Sequence, residues 1–326
     1  MRAVVVREPG PEDVLTVVDR DDLAPPPGHV RVRVRFAGVN RADLLQRLGL
    51  YPAPPGSPTD IPGLEYAGEI DAVGAGVPES KIGERVYGIT GGGSYAEQVV
   101  VHERETARIP DGIAERDAAA VPEAFITAYD ALVLQARLRP GERVLVHAVG
   151  SGVGTAGLQI AKALGCQVVG TSRTASKLDK AAPLGLDAAA LVESAASLEK
   201  AVRGAFPQDI DVVLDLVGGP YFAATLPLLA PKARVVVVGL TAGVRGEMDL
   251  GLLLRKRLTV VGTVLRSRPL EEKIQAADLL RRTLSPWLAR KMIKPVVEAV
   301  FPLAEAAAAH RLVASNATFG KVLLEV

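Results

Sequence analysis

Cysteine and histidine are almost absent from this sequence, which contains one cysteine and four histidines among 326 residues. Zinc is held in proteins mainly by thiolate and imidazole ligands, so this scarcity almost excludes a thiolate-based zinc site, structural or catalytic. The one thiol, Cys166, has no partner for an internal disulfide, which favours a reducing compartment. Because Cys166 follows Gly165 and precedes an apolar strand, we expect a small buried side chain and not a reactive thiol.

Excess charge and long apolar runs are also lacking. The formal net charge is +1, whereas nucleic-acid-binding proteins usually carry a basic excess, so we expect no nucleic-acid partner. No apolar run reaches the ~18 residues of a membrane helix, and Met1 to Arg7 contain no apolar core of a secretory signal. We therefore expect no membrane association and a cytoplasmic location. The length and the 48% hydrophobic content favour two packed domains.

The first third of the chain has the pattern of a β domain. Valines and Phe36 alternate with arginines from 30 to 36, directly after a proline turn at 25–28. Alternation with period two predicts half-buried antiparallel sheet. The remaining expectations for this part are a helix at 42–48, an ordered proline-rich loop at 51–63, and strands at 65–73, 84–89 and 95–101.

The pattern changes near residue 113, where helices begin to alternate with continuous apolar strands. Such strands are typical of a parallel sheet covered on both faces, so the α/β alternation predicts a doubly wound domain. We expect the last two strands to return to the β domain. The predicted helices are 115–120, 125–137, 154–164, 174–184, 270–291 and 303–314. The predicted strands are 143–148, 167–171, 188–192, 211–216, 234–239, 258–264, 296–301 and 321–326.

A glycine-rich turn follows the first strand of that α/β region, in the order Gly150, Ser151, Gly152, Val153 and Gly154. Backbone amides at a helix N-terminus, free of bulky side chains, bind the pyrophosphate of a dinucleotide. The literal G-x-G-x-x-G pattern begins at Gly152, but the strand ends before Gly150, so we expect the tight turn to start there. The alternative is a plain strand-to-helix turn with no ligand.

The end of the next strand indicates which dinucleotide binds. An NAD site places an acidic side chain there, whereas this sequence has Ser172 and Arg173, with Lys177 one turn later. Cationic and hydroxyl groups suit a 2′-phosphate, which favours NADP(H). The alternative is that Arg173 and Lys177 are ordinary solvated charges at a helix start.

Two further loops follow the carboxyl ends of predicted strands, where ligands bind in open α/β sheets. They lie at 217–219 and 239–241, so Val217, Gly239 and Leu240 are candidate contacts for the nicotinamide half. Asp215, just before the first loop, is expected to satisfy backbone donors and not to perform chemistry. His147, on the first strand, is expected to lie in the core.

Several segments along almost the whole chain match the motifs of one family. They are Gly38-Val39-Asn40-Arg41-Ala42-Asp43, Pro62-Gly63-Leu64-Glu65-Tyr66-Ala67-Gly68, Val73-Gly74 with Gly76-Val77, Gly83-Glu84-Arg85-Val86, Ser94-Tyr95-Ala96-Glu97, Thr127-Ala128-Tyr129 and Gly320-Lys321-Val322. With these segments the chain resembles the zinc-free quinone oxidoreductase branch of the medium-chain dehydrogenase/reductases. Zinc-dependent relatives have a cysteine near Asn40 and a histidine near Leu64, and this sequence has neither.

The resemblance implies a GroES-like β domain at 1–118, completed by 268–326, and a Rossmann NADP-binding domain at 119–267. It also implies a homodimer through strand 258–264 and the loop 241–257. Two departures are Ser151, where many relatives have glycine, and Val192, where some relatives have a tyrosine for the 2′-phosphate. The preference for NADP therefore rests on Arg173 and Lys177.

The resemblance also implies roles for individual residues. Asn40 and Thr127 would lie near the nicotinamide as catalytic residues, and Tyr51 is either a substrate wall or a loop-packing aromatic. The implied cofactor contacts are Gly150, Ser151, Gly152 and Val153 at the pyrophosphate, Ser172, Arg173 and Lys177 at the 2′-phosphate, and Val217, Gly239, Leu240, Leu265 and Arg266 along the remainder.

The function expected from this resemblance is NADPH-dependent reduction of a quinone by hydride transfer, without a metal. Positioning and a dry pocket suffice for such chemistry, because a quinone is a good acceptor. Two alternatives stay open: reduction of an activated double bond in an enal, enone or enoyl thioester, and a non-catalytic NADPH-binding redox sensor. The sequence does not choose between one- and two-electron reduction.

Overall fold

The computed structural model describes all 326 residues, and the chain divides into two compact units. Unit 1 comprises Met1–Ile126 and Leu265–Val326, and unit 2 comprises Thr127–Val264. The divisions expected from the sequence lay at 118/119 and 267/268. None of the helices combines the length and apolar character needed to span a lipid bilayer.

Unit 1 is built on an antiparallel sheet with one parallel pair. Its strands are β1 Arg2–Val6, β2 Leu15–Asp19, β3 His29–Val39, β4 Glu65–Val73, β5 Arg85–Ile89, β6 Gln98–His102, β7 Ala107–Arg108, β14 Val297–Pro302 and β15 Lys321–Glu325. The strand order is β14-β15-β3-β4-β5-β7, with β6 also paired to β3 and a separate β1-β2 hairpin. Val322 of β15 pairs with Val39 of β3, which confirms that the last strands return to the β domain.

The helices of unit 1 are short. They are α1 Arg41–Arg47, α2 Glu115–Ala119, α9 Leu270–Leu279, α10 Ser285–Ala289 and α11 Ala306–Ala314, together with the first turns of α3 Pro122–Tyr129. The helix predicted over 270–291 is confirmed as a continuous helical run from α9 to α10, with a π-helical turn at Leu280–Leu284 between them. Pro286 lies in the first turn of α10, where the missing proline N–H is tolerated because the first amides of a helix have no partner within the helix. The apolar core includes Val30, Val32 and Val34, whose exposures are 0–1%.

Unit 2 is a six-stranded sheet in which all pairs are parallel. Its strands are β8 Arg143–Val146, β9 Gln167–Ser172, β10 Ala188–Leu191, β11 Ile210–Asp215, β12 Leu229–Val237 and β13 Thr259–Gly262. The order β10-β9-β8-β11-β12-β13 reverses direction between β8 and β11. This is the doubly wound order in which ligands bind at the switch point, so the predicted fold class is confirmed.

The helices of unit 2 include three that the sequence patterns did not reveal. The elements are α4 Gly152–Ala163, α5 Ala175–Ala181, α6 Ala195–Ala205, α7 Pro220–Thr225 and α8 Leu250–Lys256, and a π-helical turn at Asp130–Gln135 follows α3. α6, α7 and α8 were missed, and the predicted loop 241–257 contains α8. α3 begins at Pro122 and not at 125, because proline's fixed φ suits the first helical turn.

Candidate active site

The glycine-rich turn joins β8 to α4 at the switch point of the parallel sheet. Ser151 is the N-cap of α4: its Oγ accepts a hydrogen bond from the Gly154 amide at 3.1 Å and donates one to the Ala148 carbonyl at 2.8 Å. A Cβ on Gly154 would collide with the Ala148 carbonyl oxygen, so only glycine fits there. The helix begins at Gly152, two residues before the predicted start, because Ser151 caps it. Ser151 Oγ occupies the Gly154 amide, and the amides of Gly152 and Val153 before it are the ones placed to meet an anion at the start of the helix.

Gly157 is the last glycine of the G-x-G-x-x-G pattern, and the packing of α4 on the sheet requires glycine at this position. A Cβ at this position would lie 2.5 Å from Cδ2 of Leu214 on β11. Its absence lets α4 pack closely on the parallel sheet, which is the third role of glycine in a dinucleotide-binding turn. The turn and helix therefore have the geometry of a pyrophosphate site.

The end of β9 presents the groups that were expected at the 2′-phosphate. Ser172 is buried, and its Oγ accepts a hydrogen bond from the Thr174 amide at 3.1 Å. Arg173 is exposed, and Lys177 is partly exposed in the first turn of α5. These positions bring two cations to the carboxyl end of the strand beside β8.

The loops after β11 and β12 are fixed by backbone hydrogen bonds. Asp215 Oδ1 accepts from the amides of Val217 and Gly218, both at 2.9 Å, which confirms its predicted role as a backbone acceptor. A Cβ on Gly239 would lie 2.7 Å from the Leu216 carbonyl, so the two loops approach too closely for a side chain there. Leu240, the next residue, is 47% exposed and free to face a ligand.

His147 and Cys166 have the core positions predicted for them. The His147 ring is fully buried, with its two nitrogens 3.0 Å from Thr171 Oγ1 and 2.9 Å from Thr225 Oγ1. Burial lowers the pKa of His147, so the neutral ring bridges two hydroxyls. Cys166 is 2% exposed, and burial raises the pKa of its thiol. Neither residue has the environment of a reactive group.

Unit 1 contains a buried charge cluster that we call the Lys321 cluster, formed by Asn40, Glu65 and Lys321. The Lys321 ammonium lies 2.6 Å from Glu65 Oε1 and donates hydrogen bonds to Asn40 Oδ1 at 2.5 Å and the Val39 carbonyl at 3.2 Å. Asn40 Nδ2 also donates to Glu65 Oε1 at 2.9 Å. The Lys321 ammonium thus has three oxygen atoms around it inside the protein, and Asn40 is held by both partners.

A second buried chain of polar groups lies beside that cluster. Asp43 accepts hydrogen bonds from the amides of Asn40 at 2.7 Å and Gly63 at 3.1 Å, and from the Tyr95 hydroxyl at 3.2 Å. Tyr95 in turn lies 3.1 Å from His310 Nε2. Burial raises the pKa of Asp43 to about 6 and lowers that of His310 to about 3. His310 is therefore neutral throughout the physiological range.

Tyr51 and Arg266 form a contact that anchors the proline-rich loop. Arg266 is 4% exposed, and its guanidinium donates to the carbonyls of Gly91 and Tyr51 and to Gln46 Oε1. The same guanidinium lies 5.1 Å above the centre of the Tyr51 ring. Burial raises the pKa of the half-buried Tyr51 hydroxyl. Each guanidinium nitrogen donates a hydrogen bond within unit 1, so the side chain positions this loop, and the expectation that Arg266 borders the cofactor stays a prediction.

Three charged residues of unit 1 that lie in or beside these polar clusters were not singled out as site residues from the sequence: Asp43, Glu123 and Lys321. Their shared signal is a charged residue inside an apolar or small-residue stretch, as in Ala120-Val121-Pro122-Glu123-Ala124-Phe125. Thr127, which was singled out, is partly exposed one helical turn after Glu123. Leu265, expected near the cofactor, is 6% exposed.

The residues present do not fit a zinc ion. No group of three or more histidine, cysteine, aspartate and glutamate side chains in the structure is arranged to hold a metal. The Lys321 ammonium already lies against Glu65 and Asn40, and Leu64 is fully buried as a core side chain. A second cation beside that ammonium would meet repulsion and a neutral amide, so we derive no step through zinc.

Two family profiles match separate parts of the chain. Residues 26–111 match the family described as alcohol dehydrogenase GroES-like domain, and residues 152–282 match zinc-binding dehydrogenase. A quinone oxidoreductase from Pseudomonas aeruginosa is 35% identical over 97% of this chain and 96% of its own length. The chain therefore belongs to the quinone oxidoreductase branch of the medium-chain dehydrogenase/reductase superfamily.

Other similarities concern a much longer protein and two solved structures. Polyketide synthase GfsB from Streptomyces halstedii is 42% identical over 73% of this chain, which corresponds to only 4% of that protein. A structure described as an NAD-dependent alcohol dehydrogenase aligns over 100% of both chains, with a TM-score of 0.89 and 33% identity. Escherichia coli quinone oxidoreductase in complex with NADPH aligns over 100% of both chains, with a TM-score of 0.86 and 29% identity.

Proposed function

We propose that this protein is an NADPH-dependent oxidoreductase that reduces a quinone by hydride transfer, without a metal ion. The observation that carries the proposal is the pair formed by the glycine turn at α4 and the cations Arg173 and Lys177 after β9. The quinone oxidoreductase relative and the NADPH complex of the E. coli enzyme support the same cofactor and acceptor.

The residues of unit 2 fit NADPH. The first amides of α4 would hold the pyrophosphate. Glycine is required at position 154 because a Cβ there would collide with the Ala148 carbonyl oxygen. Ser172, Arg173 and Lys177 would hold the 2′-phosphate. The remaining contacts that we propose are Gly150, Ser151, Gly152, Val153, Val217, Gly239, Leu240, Leu265 and Arg266.

The chemistry of unit 1 is positioning in a dry pocket. NADPH, when bound, supplies a hydride to the acceptor. We propose that Asn40 and Thr127 lie beside the nicotinamide, with Asn40 held in place by Glu65 and Lys321. Because the Lys321 ammonium already contacts Glu65, Asn40 and the Val39 carbonyl, we do not assign it to polarise a substrate carbonyl, and an acceptor that is already electron-poor is favoured. A quinone meets that requirement.

The test is oxidation of NADPH beside NADH by the purified protein, with an ortho-quinone as acceptor. We expect turnover selective for NADPH, because NADH leaves Arg173 and Lys177 without a phosphate partner. Tight NADPH binding without turnover on quinones, enals or enoyl thioesters would contradict the proposal and favour a redox sensor.

The proposed location is the cytoplasm, since the single thiol suits a reducing compartment.

A second candidate is reduction of an activated double bond in an enal, enone or enoyl thioester. The similarity to a polyketide synthase at 42% identity favours it, over a stretch of 240 residues. This reaction needs a proton delivered to the reduced acceptor as well as a hydride. The same assay with an enoyl thioester decides between the two: a kcat/KM that exceeds the quinone value would replace the first candidate.

We also propose that the protein is a homodimer through the β13 edge of unit 2. β13 ends the parallel sheet, and edge strands with unpaired backbone groups are usually covered. Leu250 and Leu254, one turn apart on α8, are 67% and 76% exposed, and Val244 is 79% exposed. An apolar patch of this kind marks a contact surface.

The substitution Leu254→Glu is expected to convert the dimer to a monomer in sedimentation velocity, because a carboxylate would be buried without a partner in the interface. Leu191→Glu is the matched control, since Leu191 is 45% exposed on β10 at the opposite edge of the same sheet. A dimer that persists in Leu254→Glu, or one that Leu191→Glu also disrupts, would show that the β13 edge is not the interface.

A further inference from the structure

Glu123 is a partly exposed residue in the first turn of α3, and no cation forms an ion pair with its carboxyl group. Its backbone amide donates a 2.8 Å hydrogen bond to Glu65 Oε2, which fixes the start of the helix on the Lys321 cluster. No hydrogen bond or ion pair holds its side chain. Glu123 is partly exposed as a residue, and its carboxyl group is close enough to the fully buried Glu65 carboxylate to feel its charge.

Both neighbouring cations are already occupied. The Lys321 ammonium forms an ion pair with Glu65 and donates hydrogen bonds to Asn40 and the Val39 carbonyl. The Arg266 guanidinium donates to the carbonyls of Gly91 and Tyr51 and to the side chain of Gln46. Breaking one of these hydrogen bonds to turn the cation toward Glu123 would leave a buried acceptor unsatisfied, which costs about 1–3 kcal/mol for each group.

The surroundings keep Glu123 protonated at neutral pH. Burial is the main cause, and the like charge of Glu65 adds to it, so that the pKa of Glu123 rises to about 8. The positive charges of Lys321 and Arg266 lower the pKa of Glu123, and the negative charge of Asp43 raises it further. The charged or titratable groups that act on Glu123 or are acted on by it are Glu65 on β4, Asp43 on α1, Lys321 on β15, Arg266 after β13 and Tyr51 in the proline-rich loop.

We propose that Glu123 is the catalytic residue that donates a proton to the reduced acceptor. The inference rests on the proposed function and names the acid for that reaction. The acceptor gains a hydride, and with it two electrons, from NADPH, which becomes NADP⁺. The Glu123 O–H bond breaks, and its proton goes to the acceptor's oxygen or, for an activated double bond, to the α-carbon. Water then reprotonates the Glu123 carboxylate.

Tyr51 is the competing donor within the same unit. Its hydroxyl has a raised pKa, and the contact of its ring with Arg266 ties it to the loop. A carboxylic acid that titrates near the working pH is the better acid, since proton transfer is most effective when the pKa of the donor matches the pH. The Tyr51→Phe variant should therefore keep the alkaline limb of the pH profile that Glu123 produces.

The experiment compares wild type, Glu123→Gln, Glu123→Asp and the control Glu105→Gln. Glu105 is another carboxyl of unit 1 whose pKa burial raises, but it is bonded to the His102 amide and lies outside the site. Glutamine keeps the Glu123 amide that bonds Glu65. We would measure kcat/KM against pH with a quinone and an enal, and the carboxyl C=O band by infrared difference spectroscopy of the protein without substrate.

A general acid must be protonated, so wild-type kcat/KM should be constant below pH 8 and fall above it. Glu123→Gln should lose about 10²-fold with the enal, less with the quinone, and should lack the alkaline limb. Glu123→Asp should recover part of the rate, and Glu105→Gln should match wild type. A protonated carboxyl band at pH 7, lost by pH 9 and absent from Glu123→Gln, is expected whether or not an acceptor turns over.

Three outcomes would overturn the proposal. One is an ionised Glu123 at pH 7 in the infrared spectra. Another is a normal rate with an unchanged alkaline limb in Glu123→Gln while wild type reduces the acceptor, which leaves the proposed function intact. The third is an absence of turnover by wild type on every acceptor, which removes the proposed function and the proton donor together.

Discussion

Replacement of Lys321 by methionine is expected to lower the free energy of unfolding by about 3–5 kcal/mol, the cost of leaving a buried charge uncompensated. Lys321 is 5% exposed and Glu65 is fully buried in their 2.6 Å ion pair. Methionine keeps most of the side-chain volume, so the loss reports on the charge and on the hydrogen bonds to Asn40 and Val39. Urea unfolding at pH 7, followed by circular dichroism, measures it.

The control for this prediction is an exposed ion pair on the same sheet. Arg33 and Glu69 lie 3.0 Å apart with side-chain exposures of 54% and 38%, so Arg33→Met should cost less than about 1 kcal/mol. The double variant Lys321→Met with Glu65→Gln should recover part of the lost stability, because no unpaired carboxylate remains. A Lys321→Met loss no greater than that of Arg33→Met would show that the buried pair does not stabilise unit 1.

Replacement of Arg173 by alanine is expected to weaken NADPH binding about 10- to 100-fold and to leave NADH binding unchanged. Hydrogen bonds to charged groups contribute about 1.5–3 kcal/mol, and each 1.4 kcal/mol is a factor of ten in affinity. Arg173 is exposed at the end of β9, where a 2′-phosphate is the only group that distinguishes the two dinucleotides. Calorimetric titration with both dinucleotides measures the change.

Lys200→Ala is the matched control for Arg173→Ala. Lys200 is an exposed cation on α6 of the same unit, so its removal changes the net charge equally without touching β9. It should leave both affinities unchanged. A loss in Lys200→Ala would indicate long-range charge and not a phosphate contact. Equal losses of NADPH and NADH in Arg173→Ala would place Arg173 away from the 2′-phosphate.

The fold was largely predictable because its strands carry strong local patterns. The continuous apolar runs of unit 2 predicted parallel strands, and the alternation from 30 to 36 predicted antiparallel sheet. α8 was missed because it lies between Gly246 and the next strand and spans only two turns. A signal was present: Asp249 caps α8 by accepting a 2.9 Å hydrogen bond from the Leu252 amide.

The cofactor turn was predictable and the unit 1 cluster was not, for a physical reason. The turn's residues are contiguous, and their backbone geometry follows from local sequence. Asn40, Glu65, Glu123 and Lys321 are far apart in the sequence, and only the pairing of β15 with β3 brings the last to the first. The buried charges of such a cluster are stable only in combination, so no single residue marks the site.

The contacts of Arg266 likewise could not be predicted from the sequence. Its guanidinium donates to Gln46, Tyr51 and Gly91, which precede it by more than 170 residues. These contacts form because the chain passes from unit 2 back to unit 1 between Val264 and Leu265.

The most direct test of the central claim is NADPH oxidation with an ortho-quinone by protein whose metal content has been measured before and after exhaustive chelation. The proposed mechanism predicts no stoichiometric zinc and an unchanged rate, with NADPH preferred over NADH. Stoichiometric zinc, together with activity that chelation removes and added zinc restores, would contradict it. That result would mean that the hydride transfer depends on a metal ion.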